Sequence, residues 1–535
     1  MRACSSAACA SHPLAEAESG TIGVRRRPVA AAVSGLGPTL AFGFGAHFLI
    51  ALINVVAVPV FLRLMGAQAY GLVAFYVVLQ SWMLLFDLGV SPALARQLSR
   101  HRAGALRAEE AGSLLGAAEI VFVVGGLAAG GAFVFSSPWI AGHWLGASTL
   151  PPGELDLSLR LVGALLVFRW LTGLYQSALV GLERQIPVNA VALAGAFARY
   201  GGALVVLVFV SRSPVAFFAV QAGVTLAEAG ICRVLLFAAM PGGFRHWRAG
   251  WRALRSEFRF ALGLTLAGAV STLINQADKL TLSHVLPLGE FGLFGLVVSV
   301  VGGIAMVVPP FVQAFQPRLT TLLAQGRREE FVHVYRLSAA LILALAAGLA
   351  GTIAAHPEWV IWAWTGRAGL AVHLAPVLTL YAAGAAIASF LFVPFLLQYA
   401  QGQVRLHVIG NLAFGAVWIP AAVWAAVVHG ALGAGVVWLC GNLLYLLLWV
   451  PFVHARLLSS EERRGLDRGV WVRGALLAAA LAASRWLPLG ALSRPGAFAA
   501  LAGVSLVVTA LGLASSRELR DYARSALAHA RGGRA

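Results

Sequence analysis

Lysine is almost missing from this chain. Of its 39 basic residues 38 are arginine, and Lys279 stands alone. A Walker-type phosphate loop needs a lysine in a glycine-rich turn; none occurs, so nucleotide-driven chemistry is excluded. Cysteine is nearly as scarce: Cys4, Cys9, Cys232 and Cys440 have neither zinc-site nor disulfide-framework spacing. No His-Glu-x-x-His motif and no Ser/His/Asp set appears, so no metal, cofactor or catalytic residue is assigned. Charge itself is in short supply. Only 11% of the 535 residues are charged, against about 25% in a soluble domain, which excludes an ordinary soluble enzyme. What fills the space is apolar: 60% of the chain is hydrophobic, in runs of roughly 20 residues, each long enough to cross a ~30 Å hydrocarbon core as a helix.

The runs predict an all-α, polytopic membrane protein with about fourteen spans, near 39–62, 70–92, 113–136, 158–182, 187–210, 214–238, 258–283, 291–315, 335–355, 374–397, 404–428, 432–453, 470–487 and 496–514. Residues 1–38 put Arg25, Arg26 and Arg27 just before the first run, the wrong order for a cleaved signal peptide; a disordered cytoplasmic tail is expected. With span-edge residues included, 28 Arg and Lys fall on the termini and even-numbered connections and 5 on the odd-numbered ones. By the positive-inside rule both termini are expected in the cytoplasm. The net charge of +18 is therefore mostly topology, and no nucleic-acid partner is inferred. The connection at 241–259 interleaves Arg245, Arg248, Arg252 and Arg255 with Phe244, Trp247, Trp251 and Leu254, the pattern of an amphipathic helix on membrane lipid.

Two segments read alike 221 residues apart, Leu64-Met-Gly-Ala-Gln-Ala-Tyr-Gly-Leu72 and Val285-Leu-Pro-Leu-Gly-Glu-Phe-Gly-Leu293. Each is a short outer turn leading into a span. This predicts two pseudo-symmetric six-helix lobes, 39–240 and 260–455, with substrate between them. Two further helices and a basic tail occupy 456–535.

Ionisable residues inside a membrane cost several kcal/mol, about 2.5–3.5 on insertion scales, and so mark cavities or partners. Tyr76, Gln80, Met83 and Asp87 share a face of span two; Arg169, Thr172 and Gln176 share one of span four. Arg199 lies near the centre of span five, and Gln221, Thr225 and Glu228 align on span six. Span seven holds Thr265, Thr272, Asn275, Gln276, Asp278 and Lys279. Arg169, Arg199, Lys279, Gln176 and Asn275 are expected to line a central cavity, and Glu228, Asp87 or Asp278 to couple an ion. Adjacent residues point about 100° apart on a helix, so Asp278 and Lys279 are not expected to pair. Glu119, Glu228 and Arg233 are expected to be structural, with ion coupling the competing role for Glu228, and Asp87 to pair with Arg96. His47 and Asn54 are expected to make packing hydrogen bonds, and Pro309-Pro310 to kink span eight. Glu154-Leu155-Asp156 would suit a metal in a membrane glycosyltransferase, but its loop of about 20 residues is too small for an acceptor site. The chain reads as a transporter rather than an enzyme.

Several stretches carry a family resemblance: Arg63-Leu-Met-Gly-Ala-Gln-Ala-Tyr-Gly-Leu72, Phe86-Asp-Leu-Gly-Val90 with Arg96, Tyr175-Gln-Ser-Ala-Leu-Val-Gly-Leu-Glu-Arg-Gln185 with Asn189, Asp278-Lys-Leu-Thr-Leu-Ser283, Glu290-Phe-Gly-Leu293, Ala314-Phe-Gln-Pro-Arg-Leu319, Trp364-Thr-Gly366 and Gln398-Tyr-Ala-Gln-Gly402. In order and spacing the chain resembles the Wzx-type polysaccharide flippases of the multidrug/oligosaccharidyl-lipid/polysaccharide exporter superfamily, over roughly 40–455. The resemblance implies an alternating-access carrier of undecaprenyl-diphosphate-linked oligosaccharide in a bacterial cytoplasmic membrane, working with glycosyltransferases and a polysaccharide polymerase. It transfers no residue-level site. Its physical demand matches the arginines, because a diphosphate needs a wet, cationic cavity. A small-molecule antiporter of the same superfamily is the alternative, and would favour an acidic cavity.

Overall fold

The computed structural model describes residues 36–87, 89–146, 148–240, 247–516 and 518–520, and every regular element among them is helical. The tail expected at 1–38 lies almost wholly outside the described residues, as do Phe244 and Arg245.

The first helix, α1 (Leu36–Phe86), has 51 residues. Straight, it would be about 77 Å long at 1.5 Å per residue, far more than a bilayer core. It is not straight. Gly66, at φ 82° and ψ 170°, leaves helical geometry and divides it into arms over 36–65 and 67–86, the first two expected spans. Only a residue without a Cβ adopts that turn cheaply. The second arm stops short of the expected 92. Asp87 Oδ1 accepts from Ser91 N (3.1 Å) and Ser91 Oγ (2.7 Å), and Gly89 turns left-handed, so the chain restarts as a short helix, α2 (Val90–Arg102), with a basic last turn.

Spans three to six follow as α3 (Ala108–Trp139), α4 (Pro152–Gly181), α5 (Gln185–Phe209) and α6 (Pro214–Ala239). From Trp247 the basic connection runs without a break into span seven as one helix, α7 (Trp247–Val285). Its start rests on α3, with Gly250 so close to the Ser113 carbonyl that a Cβ there would overlap it. Span eight is interrupted at Met306–Val308, giving α8 (Leu288–Ala305) and α9 (Pro309–Ala324). The double proline expected to kink this span starts α9, where a missing N–H costs nothing. The second half continues with α10 (Arg328–Ala346), α11 (Thr352–Ala355), α12 (Pro357–Thr365), α13 (Ala368–Phe390), α14 (Phe392–Ala400) and α15 (Val404–Leu444), the last folded at Gly430, φ 59°. After α16 (Val450–Leu457) come α17 (Ser460–Ser484) and α18 (Arg494–Ser515). Ten helices among the described residues are long and apolar enough to cross a membrane; two of them, Gly45–Met83 and Val404–Leu457, each cover two expected spans. The expected span at 258–283 is helical too, within α7, and so is that at 470–487 as far as residue 484, where α17 ends. The fourteen crossings are compatible with this architecture.

The two repeated segments touch each other. A Cβ on Gly71 would overlap the Leu288 carbonyl, and one on Gly292 would overlap the Ala67 carbonyl. Ala67 and Leu288, like Gly71 and Gly292, stand 221 residues apart, so the contact is reciprocal, as at a two-fold axis. The missing side chains of Gly71 and Gly292 let the second arm of α1 and α8 approach backbone to backbone, a familiar device between membrane helices. The same end is closed by Trp144, whose Nε1 donates to Ser283 Oγ (3.2 Å) and whose carbonyl meets His284 Nδ1 (2.8 Å). One large apolar cluster runs through this junction, from Phe61, Tyr70 and Phe218 to Phe291, Tyr381 and Trp438.

The last two helices dock on the second half. Arg328 grips Glu462 with two hydrogen bonds of 2.8 Å, and His454 bridges Tyr335 (3.0 Å) to Asp467 (3.2 Å). The Arg328 hydrogen bond holds the Glu462 carboxyl down at about 2.

Candidate functional site

Buried charge in the first half is gathered around one carboxylate. Glu228, on α6, takes Arg199 Nη1 from α5 at Oε1 and Arg169 Nη1 from α4 at Oε2, the latter at 3.4 Å. Three neighbouring helices thus meet through a single acid. Its side chain is 4% exposed and that of Arg199 11%, while Arg169 at 36% reaches open space. The carboxylate fits because Gly195, one turn before Arg199, has no side chain; a Cβ there would occupy its place. Tyr76 and Tyr200 lie close enough to interact electrostatically with both guanidinium groups, and Tyr200 also stands near Asn54 on α1. Two cations around one anion leave a net positive charge, and the exposed edge of Arg169 presents it.

The other expected residues of this half have local partners. Gln176 lies beside the Cys232 thiol. Glu119 accepts from Tyr175 Oη (2.6 Å) and Arg233 Nε (2.8 Å), tying α3, α4 and α6 together as a structural cluster. Asp87, a candidate for ion coupling, caps α2. Thr225, on the face of Glu228, is 1% exposed and its hydroxyl has no partner among the described residues.

In the second half the structure corrects one expectation. Asp278 and Lys279 do pair, Nζ to Oδ1 at 3.1 Å. Their Cα–Cβ bonds diverge, but the four-carbon lysine stem folds back over its own helix, and Nζ also donates to the Asn275 carbonyl (2.6 Å). Tyr381 Oη donates to Asp278 Oδ2 at 2.6 Å, and Nζ stands 5.6 Å from the Tyr381 ring and 5.5 Å from the Trp438 ring. Lys279 is therefore satisfied where it lies, 8% exposed. Asn275 instead lines a cavity of about 290 Å³ among α7, α13, α14 and α15, with His407, Asn411 and Asn442.

Sequence reasoning did not single out Gly195, Tyr200, Tyr381 or Trp438. For Gly195 there was a signal: a glycine one helical turn from a buried arginine leaves room for that arginine's partner. For the aromatics there was none, since a Tyr or Trp in an apolar run reads as ordinary packing.

Solved membrane transporters share the fold. A lipid II flippase, MurJ, in an inward closed conformation superposes with a TM-score of 0.65 at 11% identity, over 90% of this chain and 99% of that one. An inward-facing multidrug resistance MATE transporter of the MOP superfamily gives 0.62 at 11% identity, over 77% and 96%. The MATE multidrug transporter DinF-BH gives 0.58 at 16% identity, over 78% and 95%. No curated protein matches the sequence. The family of polysaccharide biosynthesis proteins does match, over residues 41–323, more than half of the chain, and the protein belongs to that family.

Proposed function

We propose that the protein is a flippase that carries an undecaprenyl-diphosphate-linked oligosaccharide from the cytoplasmic to the outer leaflet of a bacterial inner membrane. One observation carries this reading: Arg169 and Arg199 converge on Glu228 inside the bilayer, with Arg169 open on one side. Arginine forms bidentate, charge-assisted hydrogen bonds to phosphate oxygens, and a dianionic diphosphate neutralises two guanidinium groups better than one carboxylate does. In the absence of substrate Glu228 holds the pair; the diphosphate displaces it, and the freed carboxylate takes up a proton or another cation. An apolar groove of about 390 Å³ between α1 and α5 is lined by Leu52, Val56 and Phe197 and by Tyr200, the neighbour of Arg199 in the chain. That is a path for the polyprenyl chain.

The antiporter reading needs a buried carboxylate open to a cation. Glu228 and Asp278 are both engaged by cations of the chain itself, which favours an anionic substrate. Proteoliposomes containing a fluorescent lipid-diphosphate glycan in both leaflets decide between them. The reading predicts that the inner-leaflet pool becomes accessible to an outside quencher only when the protein is present. Transport of a cationic dye with no movement of the glycan lipid would overturn it.

A further inference from the structure

The second half carries a site whose chemistry differs from that of the first. The 221-residue repeat pairs spans one, four, five and six with spans seven, ten, eleven and twelve. The arginine cluster is built on the first set, through Asn54, Arg169, Arg199 and Glu228. The 290 Å³ cavity is built on the second set, and Asn275 stands 221 residues after Asn54. One fold position, used twice, has acquired two linings.

The second lining is neutral. Its polar groups include the amides Asn275, Asn411 and Asn442, the hydroxyls of Ser271 and Tyr445, and His407, hydrogen-bonded to Asn411 at 3.2 Å. Asn275 and Asn442 each donate one N–H to a backbone carbonyl of their own helix, at 2.7 and 2.8 Å. Each amide keeps its carbonyl oxygen and a second N–H for a ligand. Between these groups stand aromatic faces. Trp418 and Trp438 lie 5.7 Å apart, Phe414 packs on Tyr445 at 4.7 Å, and Phe395 on His407 at 4.8 Å. The indoles are fixed in place: Trp438 sits against Gly384 and Trp418 against Gly441, where no Cβ would fit. Beside the ring of Trp438, Asp278 and Lys279 neutralise each other.

Rigid aromatic faces set between uncharged donors and acceptors suit a ligand with apolar C–H faces and a rim of hydroxyls. That is a sugar ring. We propose that this cavity is the glycan subsite, holding one end of the oligosaccharide while the arginine cluster holds the diphosphate. The proposal rests on the flippase reading and deepens it. The volume lies at the lower edge of the range for ligand pockets, about 300–1,000 Å³, so a short stretch of glycan occupies it and the remainder lies between the lobes. Selectivity for sugar identity then resides in the second half, and affinity for the lipid diphosphate in the first.

The test compares two probes on the full-length protein in nanodiscs: undecaprenyl diphosphate without sugar, and the same lipid carrying the repeat unit extracted from the host cell. For the unmodified protein the glycan should tighten binding by about tenfold, which is about 1.4 kcal/mol. Asn411→Ala, and separately Phe395→Leu, which keeps apolar bulk but removes the ring, should abolish that increment and leave binding of the sugar-free lipid unchanged. Retained binding of the sugar-free lipid also shows that each variant is folded. If both variants keep the tenfold increment, the subsite assignment is wrong while the flippase reading stands. If the unmodified protein binds neither lipid, the flippase reading falls and the subsite with it.

Discussion

Replacing Glu228 with Gln removes one negative charge from a cluster that contains two positive ones. The side chain keeps its size, so Gly195 still accommodates it. Arg199, 11% exposed, then loses its counter-ion in a low-dielectric setting. Stripping one partner from a buried ion pair costs about 3–5 kcal/mol. Arg169 is 36% exposed and already reaches open space, so its share is small and the loss should fall near the lower end, about 3 kcal/mol. On the proposed function, the same change removes the carboxylate that competes with a diphosphate for the arginines. Stability and ligand affinity should therefore move in opposite directions. Thermal unfolding in nanodiscs reads both: E228Q should melt earlier than the unmodified protein, and undecaprenyl diphosphate should raise its midpoint by more. Ligand at a hundred times its Kd adds about 2.7 kcal/mol, enough to offset most of the loss. An unchanged midpoint would show that the three residues are not an electrostatic unit. A lower midpoint that the lipid fails to restore would show that the arginines are structural only.

Three further outcomes follow from other parts of the molecule. A Cβ on Gly289 would lie 3.4 Å from Gln68 Cγ, so Gln68→Cys with Gly289→Cys should form a disulfide that blocks transport until reduced; transport unaffected by complete cross-linking would refute alternating opening at this junction. Because Glu462 is held at about 2 by Arg328, its folded-state affinity for a proton lies below that of the unfolded chain. The pair's contribution, on the order of 1 kcal/mol after screening of the half-exposed Arg328, should be complete above about pH 4.5 and fade as pH falls toward 2; Arg328→Gln should remove that dependence from the melting profile. Trp251 is 51% exposed on α7, whereas Gly250 is pressed against Ser113, so Trp251→Cys on a cysteine-free background is the site for testing topology. An impermeant thiol reagent should label it only after permeabilisation, and labelling in intact cells would invert the proposed orientation.

Much of the fold was legible in the sequence because a bilayer imposes one length on every apolar run. The helical class, the kink before Pro309 and the repeat at Leu64 and Val285 all follow from patterns along the chain. Packing across the chain was less legible. The repeat was visible, but the mutual contact of Gly71 and Gly292 was not, since it depends on how α1 and α8 cross. The extent of α1 was hidden by Gly66, which compresses an expected loop into one residue. At the site, Arg199 and Glu228 were readable as buried charges in need of partners, and spans five and six are neighbours. Asp278 and Lys279 misled because helical direction governs Cβ positions and not the end of a long, flexible stem. The aromatic lining of the second-half cavity had no signature at all: in a chain that is 60% hydrophobic, another Trp or Phe carries no information until its neighbours are known.

The central claim is that Arg169 and Arg199 hold the diphosphate of a lipid-linked glycan during its passage. The direct measurement is the rate of glycan-lipid translocation in proteoliposomes by single and double Arg→Ala and Arg→Lys variants at equal reconstituted abundance. Lysine keeps the charge but loses the bidentate fork, so the account predicts an order from unmodified protein through the Lys variants to the single Ala variants, with the double Ala variant inactive. A double Ala variant that translocates the glycan lipid at the unmodified rate would contradict it.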